Sequence, residues 1–171
     1  MDEIEIKKRE ERAEELFRMG YNCAQSVTGA WADYYGLDFG LAVKISASFG
    51  AGIGRMRETC GAACGMFLLA GLETGCTDPA DREGKSANYK TVQFLAEKFR
   101  EQNGYLRCAD MLSQMKNKIV TKPGYQAEER SEEYYKKRPC IQTIRSASRI
   151  YGEYLMNKQQ VDLFVKNKTK Y

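Results

Sequence analysis

The sequence of 171 residues contains no histidine. This absence excludes a histidine-based catalytic triad, a histidine general base and every metal site that needs an imidazole ligand. A metal bound by this protein would have to use cysteine, aspartate, glutamate or backbone oxygen atoms. The chain also lacks a run of about 18 consecutive apolar residues, so we expect no segment that spans a membrane.

The N-terminal segment lacks the features of a secretory signal. Residues 1–17 are rich in charge, and no apolar core followed by a small-residue cleavage site is present. We therefore expect a cytoplasmic protein. Structural disulfides are unusual in that compartment, where a group of cysteines more often indicates metal or redox chemistry.

Composition and length indicate one globular domain that covers residues 1–171. The hydrophobic fraction is 43% and the charged fraction is 29%, both ordinary for a folded protein. We expect the core to lie within about 13–157, followed by a basic tail at 158–171 that is unstructured or contacts a partner. The net charge of +4 is modest, and no nucleic-acid motif accompanies it, so we expect no nucleic-acid partner.

Apolar residues recur at helical spacing along most of the chain, as Cys23, Val27 and Trp31 do. The pattern predicts an all-α bundle of about six to seven helices. The predicted helices cover about 3–19, 23–35, a segment capped by Asp38, 57–73, 86–104, a short segment near 108, and 139–157. The glycine-rich segment 50–54 has neither a preceding strand nor the remainder of a phosphate-binding motif, so we interpret it as a tight turn between helices.

Four of the six cysteines stand where a helix is predicted to begin: Cys23, Cys60, Cys108 and Cys140. A helix start offers unpaired N–H groups and the positive end of the helix dipole, which favour a thiolate. Basic residues lie near three of these cysteines in the sequence, namely Arg55, Arg57, Arg107, Lys136, Lys137 and Arg138. If the helices run in the same direction, the four thiols converge, with lowered pKa values.

Cys64 lies one helical turn after Cys60, on the same face. It is a fifth thiol of the site or a small core residue, and the sequence leaves both open. Gly61 and Gly65 have no side chain and would let a neighbouring helix or a cofactor come close, so we group them with Cys64 as candidate cofactor-binding residues. Cys76 lies in a polar loop and is expected to be incidental.

Several motifs resemble the C_GCAxxG_C_C family, which is described as redox-active. They are Tyr21-Asn22-Cys23-Ala24-Gln25, the Phe49–Met56 stretch, Cys60-Gly61-Ala62-x-x-Gly65, and the later single cysteines Cys108 and Cys140. The resemblance covers roughly residues 13–157. It implies a small helical protein that uses Cys23, Cys60, Cys108 and Cys140, without defining a reaction. The order Cys60-Gly61 departs from the family name, and Cys64 is an addition.

Three interpretations remain open at this point. The first is an oxidoreductase that uses thiol–disulfide chemistry, with Cys60 as nucleophile and Cys140 or Cys23 resolving, together with a redox partner protein. The second is a metal-binding protein in which the four cysteines hold zinc or an iron–sulfur cluster for electron transfer. The third is a non-enzymatic helical interaction module with buried structural cysteines. The oligomeric state is left open.

Overall fold

A computed structural model describes residues 1–114 and 122–158, and these residues form a single all-α domain. The prediction of an all-α bundle is confirmed. The described residues contain eight α-helices: α1 Glu3–Arg18, α2 Cys23–Ala30, α3 Phe39–Ser46, α4 Gly61–Thr74, α5 Arg82–Asn103, α6 Cys108–Ser113, α7 Glu132–Lys137 and α8 Cys140–Met156. The count exceeds the predicted six to seven because α7 was not expected. The tail beyond 158 and part of the predicted irregular segment at 115–130 lie outside the described residues.

Two predicted helix starts were wrong. The fourth helix begins at Gly61 instead of residue 57, because Arg57 has a left-handed φ of 67° and Thr59 pairs in an isolated β-bridge with Arg107. The fifth helix begins one turn before the expected Ser86. Asp81 caps it, since its carboxylate accepts a hydrogen bond from the Gly84 N–H at 2.7 Å.

Helices α2, α4 and α8 run in the same direction. Gly61 lies against Cys23, and Gly65 lies against Ala24, so α2 and α4 have the same sense. The Tyr151 hydroxyl in α8 donates to the Leu69 carbonyl in α4 at 2.9 Å, and each of these residues lies in the second half of its helix. The starts of the three helices therefore lie at one end of the bundle.

Helix α1 packs antiparallel to α8 and is held there by ion pairs. Arg149 contacts Glu3 at 2.7 Å and the buried Glu10 at 2.6 Å, while Arg145 contacts Glu14 at 2.7 Å. Residues later in α1 thus contact residues earlier in α8, which shows that the two helices run in opposite directions. None of the helices within the described ranges is long and apolar enough to cross a lipid bilayer.

The contact between α2 and α4 depends on small residues. A Cβ atom built at Gly65 would lie 2.8 Å from the Ala24 carbonyl oxygen and 2.9 Å from the Val27 Cβ. These distances are shorter than van der Waals contact, and neither neighbour is the end of a flexible side chain. Gly65 therefore fixes how closely the two helices approach each other.

We predict opposite effects for alanine at two glycines of α4. Gly65→Ala should lower the free energy of unfolding by about 1–3 kcal/mol, because the added methyl forces α2 and α4 apart. Gly71→Ala is the matched control: nothing lies within 4 Å of its Cβ position. It should raise the free energy of unfolding by about 0.5–1 kcal/mol through helix propensity. Urea denaturation measures both, and equal midpoints for the two variants would contradict the close packing.

Candidate functional site: a cysteine cluster at the helix starts

Asn22 fixes the position of the first cysteine. Its side-chain oxygen accepts hydrogen bonds from the Ala24 and Gln25 N–H groups, both at 3.0 Å, and Gln25 bonds back to the Asn22 N–H at 2.9 Å. This capping box starts α2 at Cys23. The Asn22 amide also donates to the Ala47 carbonyl at 2.8 Å, so the start of α2 is tied to the end of α3.

The glycine-rich turn covers Cys23 and Cys108. Residues 51–55 all have left-handed φ angles, between 54° and 75°. This geometry directs the Ala51 N–H toward the Cys23 sulfur at 3.4 Å. A Cβ at Gly52 would lie 2.7 Å from the Cys108 Cβ, so glycine is required there by close approach as well as by its φ angle. The predicted tight turn is therefore also one wall of the cysteine site.

Backbone hydrogen bonds hold Cys60 next to Cys108. The Cys60 N–H donates to the Leu106 carbonyl at 2.8 Å, and the Cys108 N–H donates to the Glu58 carbonyl at 2.7 Å. Cys60 is the residue that precedes α4, and Cys108 is the first residue of α6. Because the first N–H of α6 is bonded to a carbonyl, it is not free to stabilise the Cys108 thiolate.

Cys140 begins α8 and completes the group. The charge of Cys23 raises the pKa values of Cys60, Cys108 and Cys140. The charge of Cys108 also acts on Cys60 and on Cys140. Cys64 is buried and responds to the charges of Cys23 and Cys108. We refer to Cys23, Cys60, Cys64, Cys108 and Cys140 as the cysteine cluster. Cys76 lies outside it, near the Asp78 and Asp81 carbonyls.

The expected lowering of thiol pKa was wrong for Cys60, Cys108 and Cys140, and the pKa of Cys64 is raised as well. Burial, followed by the negative charge of Cys23, raises the pKa of Cys64 and of Cys140 to about 12 each. The same two causes raise the pKa of Cys60 well above its ordinary value, and that of Cys108 as well. The helix start does act on Cys60, since the Ala62 N–H opposes the rise, but burial outweighs it.

Arginine side chains oppose the rise at two thiols. The positive charges of Arg57 and Arg138 lower the pKa of Cys108, and Arg138 and Arg130 act likewise on Cys140. The Glu128 carboxylate accepts hydrogen bonds from Arg57 at 2.8 Å and also from Arg138.

Three other cations named from the sequence do not face the thiols. Arg107 pairs with Glu58 on the exposed surface, while Lys136 and Lys137 pair with Glu132 and Glu133 along α7. Their nearness to a cysteine in sequence was therefore misleading.

Gly61 and Gly65 face α2. A Cβ at Gly61 would clash with the Cys23 sulfur and would lie 2.8 Å from the Phe49 carbonyl oxygen. Gly61 thus allows Cys23 to sit against the start of α4. The space beside both glycines is filled by protein, so the contacts give them a packing role, and cofactor binding by them remains a prediction.

All six cysteines are free thiols. Within residues 1–114 and 122–158, no three cysteine, aspartate or glutamate side chains are arranged to hold a metal ion. The cluster is therefore a set of neighbouring reduced thiols in its present geometry.

A family model described as "Putative redox-active protein (C_GCAxxG_C_C)" matches residues 21–154. The chain belongs to this family. The matched range contains the whole cysteine cluster, the glycine-rich turn and the arginines around them. No curated protein and no solved structure matches the chain. Membership in the C_GCAxxG_C_C family associates the chain with redox activity and agrees with the resemblance in the sequence motifs.

Sequence reasoning missed three residues beside the cluster. Glu128, Arg130 and Tyr134 come from a stretch without a clear pattern, and the structure brings them next to Cys140 and Arg57. Arg130 stacks on the Tyr134 ring, 4.7 Å from its centroid. Burial and the charge of Cys140 raise the pKa of Tyr134 to about 12. The one local signal was the charged segment 128–130, which does not reveal its partners.

We predict slow, strongly pH-dependent alkylation of Cys140 and Cys64. With a pKa of about 12, fewer than about one thiol in a thousand is ionised at pH 8, and the rate should rise roughly a hundredfold by pH 10. Iodoacetamide labelling followed by peptide mapping measures each cysteine separately, with circular dichroism to verify that the protein stays folded. A Cys140 rate that levels off below pH 10 would contradict the raised pKa.

A second alkylation prediction tests the charge of Cys23. Cys23→Ser removes that negative charge, so the pKa values of Cys108 and Cys140 should fall and their labelling at pH 9 should accelerate. Cys76→Ser removes a thiol outside the cluster and is the matched control, with unchanged rates expected. Identical rates in both variants would show that Cys23 carries no charge that the other thiols sense.

Proposed function

We propose that the protein is a thiol–disulfide oxidoreductase in which Cys23 attacks a disulfide and Cys108 resolves the mixed disulfide. The observation that supports it most is the grouping of several free thiols from separate helices beside a set of guanidinium groups. Such a group can store two electrons as a dithiol and release them when a disulfide forms. The family's association with redox activity agrees with this function.

Cys23 is a better attacking residue than Cys60, which the sequence had suggested. The buried Cys60 has a pKa well above its ordinary value, so little of it is thiolate at neutral pH. Cys23 lies against the glycine-rich turn, and the Ala51 N–H is 3.4 Å from its sulfur. This donor can stabilise the thiolate form of Cys23 during the attack.

Cys108 is the resolving residue in this proposal. It is half-buried, and the charges of Arg57 and Arg138 offset part of the rise that burial causes in its pKa. Cys23 and Cys108 also contact consecutive residues of the glycine-rich turn, Ala51 and Gly52. Both cysteines therefore lie beside the same short turn.

The reaction balances with a disulfide as the oxidant. The Cys23 thiolate attacks one sulfur of the substrate, which breaks the substrate S–S bond and releases the first thiolate. The Cys108 thiolate then attacks the Cys23 sulfur, forms the internal disulfide and displaces the second thiolate. Two electrons and two protons leave the protein, and the substrate is reduced to two thiols. Free cysteines throughout the chain suit the reducing cytoplasm that the sequence predicts.

A zinc or iron–sulfur site remains the alternative hypothesis from the sequence. Four thiolates are an ordinary ligand set for either. The described residues do not offer three ligands around a common point, so the present arrangement gives this alternative no direct support. The interaction-module hypothesis has no observation that favours it over the redox function.

We predict that a small disulfide oxidises the reduced protein to one internal Cys23–Cys108 disulfide. Treatment with 2-hydroxyethyl disulfide should lower the intact mass by two hydrogens, and peptide mapping should identify the bond. Cys23→Ser should slow disulfide formation by roughly a hundredfold or more, because it removes the thiol that attacks the substrate in the proposed exchange. The rate is followed by quenching with acid and measuring mass.

The matched control is Cys76→Ser, which should be oxidised at the wild-type rate. The exchange function is wrong if no internal disulfide forms, or if Cys23→Ser reacts as fast as the wild type. It is also wrong if anaerobically purified protein carries stoichiometric zinc or iron that protects the four thiols from alkylation.

A further inference from the structure

An arginine-lined cavity of about 400 Å³ opens beside the cysteine cluster. Its charged lining consists of four arginines and one glutamate: Arg55, Arg57, Arg130, Arg138 and Glu128. The volume is in the range of sites that hold small molecules. The excess of positive charge makes the cavity a candidate site for a small anion.

Glu128 demonstrates that a carboxylate fits between these arginines. Its Oε1 atom accepts hydrogen bonds from Arg55 and from Arg57, each at 2.8 Å, and Oε2 accepts one from Arg138. Guanidinium groups pair with carboxylates through strong charge-assisted hydrogen bonds. The chain itself thus supplies one carboxylate to these arginines, and the cavity has space for a second anionic group.

Several guanidinium nitrogens remain unused by Glu128. Nε of Arg55, Nε of Arg57 and Nη1 of Arg130 are buried and have no hydrogen-bond partner among the described residues. Arg57 is only 3% exposed, so water does not solvate it freely. A buried charged donor without an acceptor is costly, and a bound anion would remove that cost.

Two residues that line the cavity also adjoin the thiols of the proposed reaction. Ala51 lines it, and the N–H of that residue faces the Cys23 sulfur. Arg57 also lines it, and its charge acts on Cys108. An anionic group bound by the arginines would therefore lie next to the residues that exchange disulfides.

We propose that the arginine-lined cavity binds the carboxylate of a small acidic disulfide and so presents its S–S bond to Cys23. The assignment rests on the proposed thiol–disulfide function and names the class of its substrate. The exchange itself is the balanced reaction given above. A protein disulfide is a poorer match, because a cavity of this volume admits only a small group.

Three symmetrical disulfides of similar length but different charge test the proposal. They are 3,3′-dithiodipropionate with two carboxylates, neutral 2-hydroxyethyl disulfide, and cystamine with two ammonium groups. Each rate of protein oxidation is divided by the rate at which the same disulfide oxidises dithiothreitol in solution. The normalised rate should be roughly tenfold higher or more for dithiodipropionate than for the neutral probe, and lowest for cystamine. Added salt should reduce the difference.

Two variants should move this preference in opposite directions. Arg55→Gln removes one donor, so the ratio of dithiodipropionate to neutral probe should fall by roughly tenfold. Glu128→Gln removes the resident carboxylate, so the ratio should rise, while any general change in thiol reactivity cancels through the neutral probe. Arg100→Gln, an exposed arginine paired with Glu97 on α5, is the control and should leave the ratio unchanged.

The outcomes separate the two proposals. If all three probes oxidise the protein with equal normalised rates, the anion site is wrong and the exchange function stands. If none of them forms an internal disulfide, the function on which the site rests is wrong as well. A ratio that responds to Arg100→Gln as strongly as to Arg55→Gln would overturn the assignment to this cavity.

Discussion

The close contact between α2 and α4 is the constraint on which the cysteine cluster depends. Gly61 and Gly65 lie one turn apart on the face of α4 that meets α2, and neither position has room for a Cβ. Because the two helices run in the same direction, the contact at Gly65 also aligns their starts. It thereby brings Cys23 against Gly61 and next to Cys60. A wider helix separation would move Cys23 away from Cys60, and an isolated thiol has no neighbour with which to form a disulfide.

Burial and positive charge act against each other around these thiols. Burial disfavours the thiolate, and each thiolate that forms makes the next more costly through repulsion. The nearby guanidinium groups of Arg57 and Arg138 offset part of that cost, although Glu128 neutralises some of their charge. The result is a cluster in which few thiols are ionised together. Such a balance suits a chemistry that passes through one thiolate at a time, which is what stepwise disulfide exchange requires.

Local signals in the sequence were sufficient for most of the helices, although not for α7 or for the starts of α4 and α5. Asn22 is a residue type that favours the N-cap of a helix, which predicts a helix start at Cys23, and the structure adds the reciprocal bond from Gln25. The pKa values were not predictable in the same way, because they depend on burial, which is set by the whole fold. Glu128 and Arg130 were missed for a related reason. Their partners lie about 70 positions away in sequence or on α7, and no periodic pattern links them.

The glycine-rich turn combines these constraints in one short segment. Five consecutive left-handed residues are costly, by about 1–2 kcal/mol for each one that is not glycine, and Ala51, Ile53 and Arg55 are such residues. Backbone hydrogen bonds offset part of this cost, as from the Arg55 N–H to Gly50 and from the Glu58 N–H to Gly52. The same turn donates the Ala51 N–H to Cys23 and supplies the Arg55 side chain to the cavity. Strained backbone that is retained beside reactive groups usually serves the site, and here it connects the proposed nucleophile with the proposed anion site.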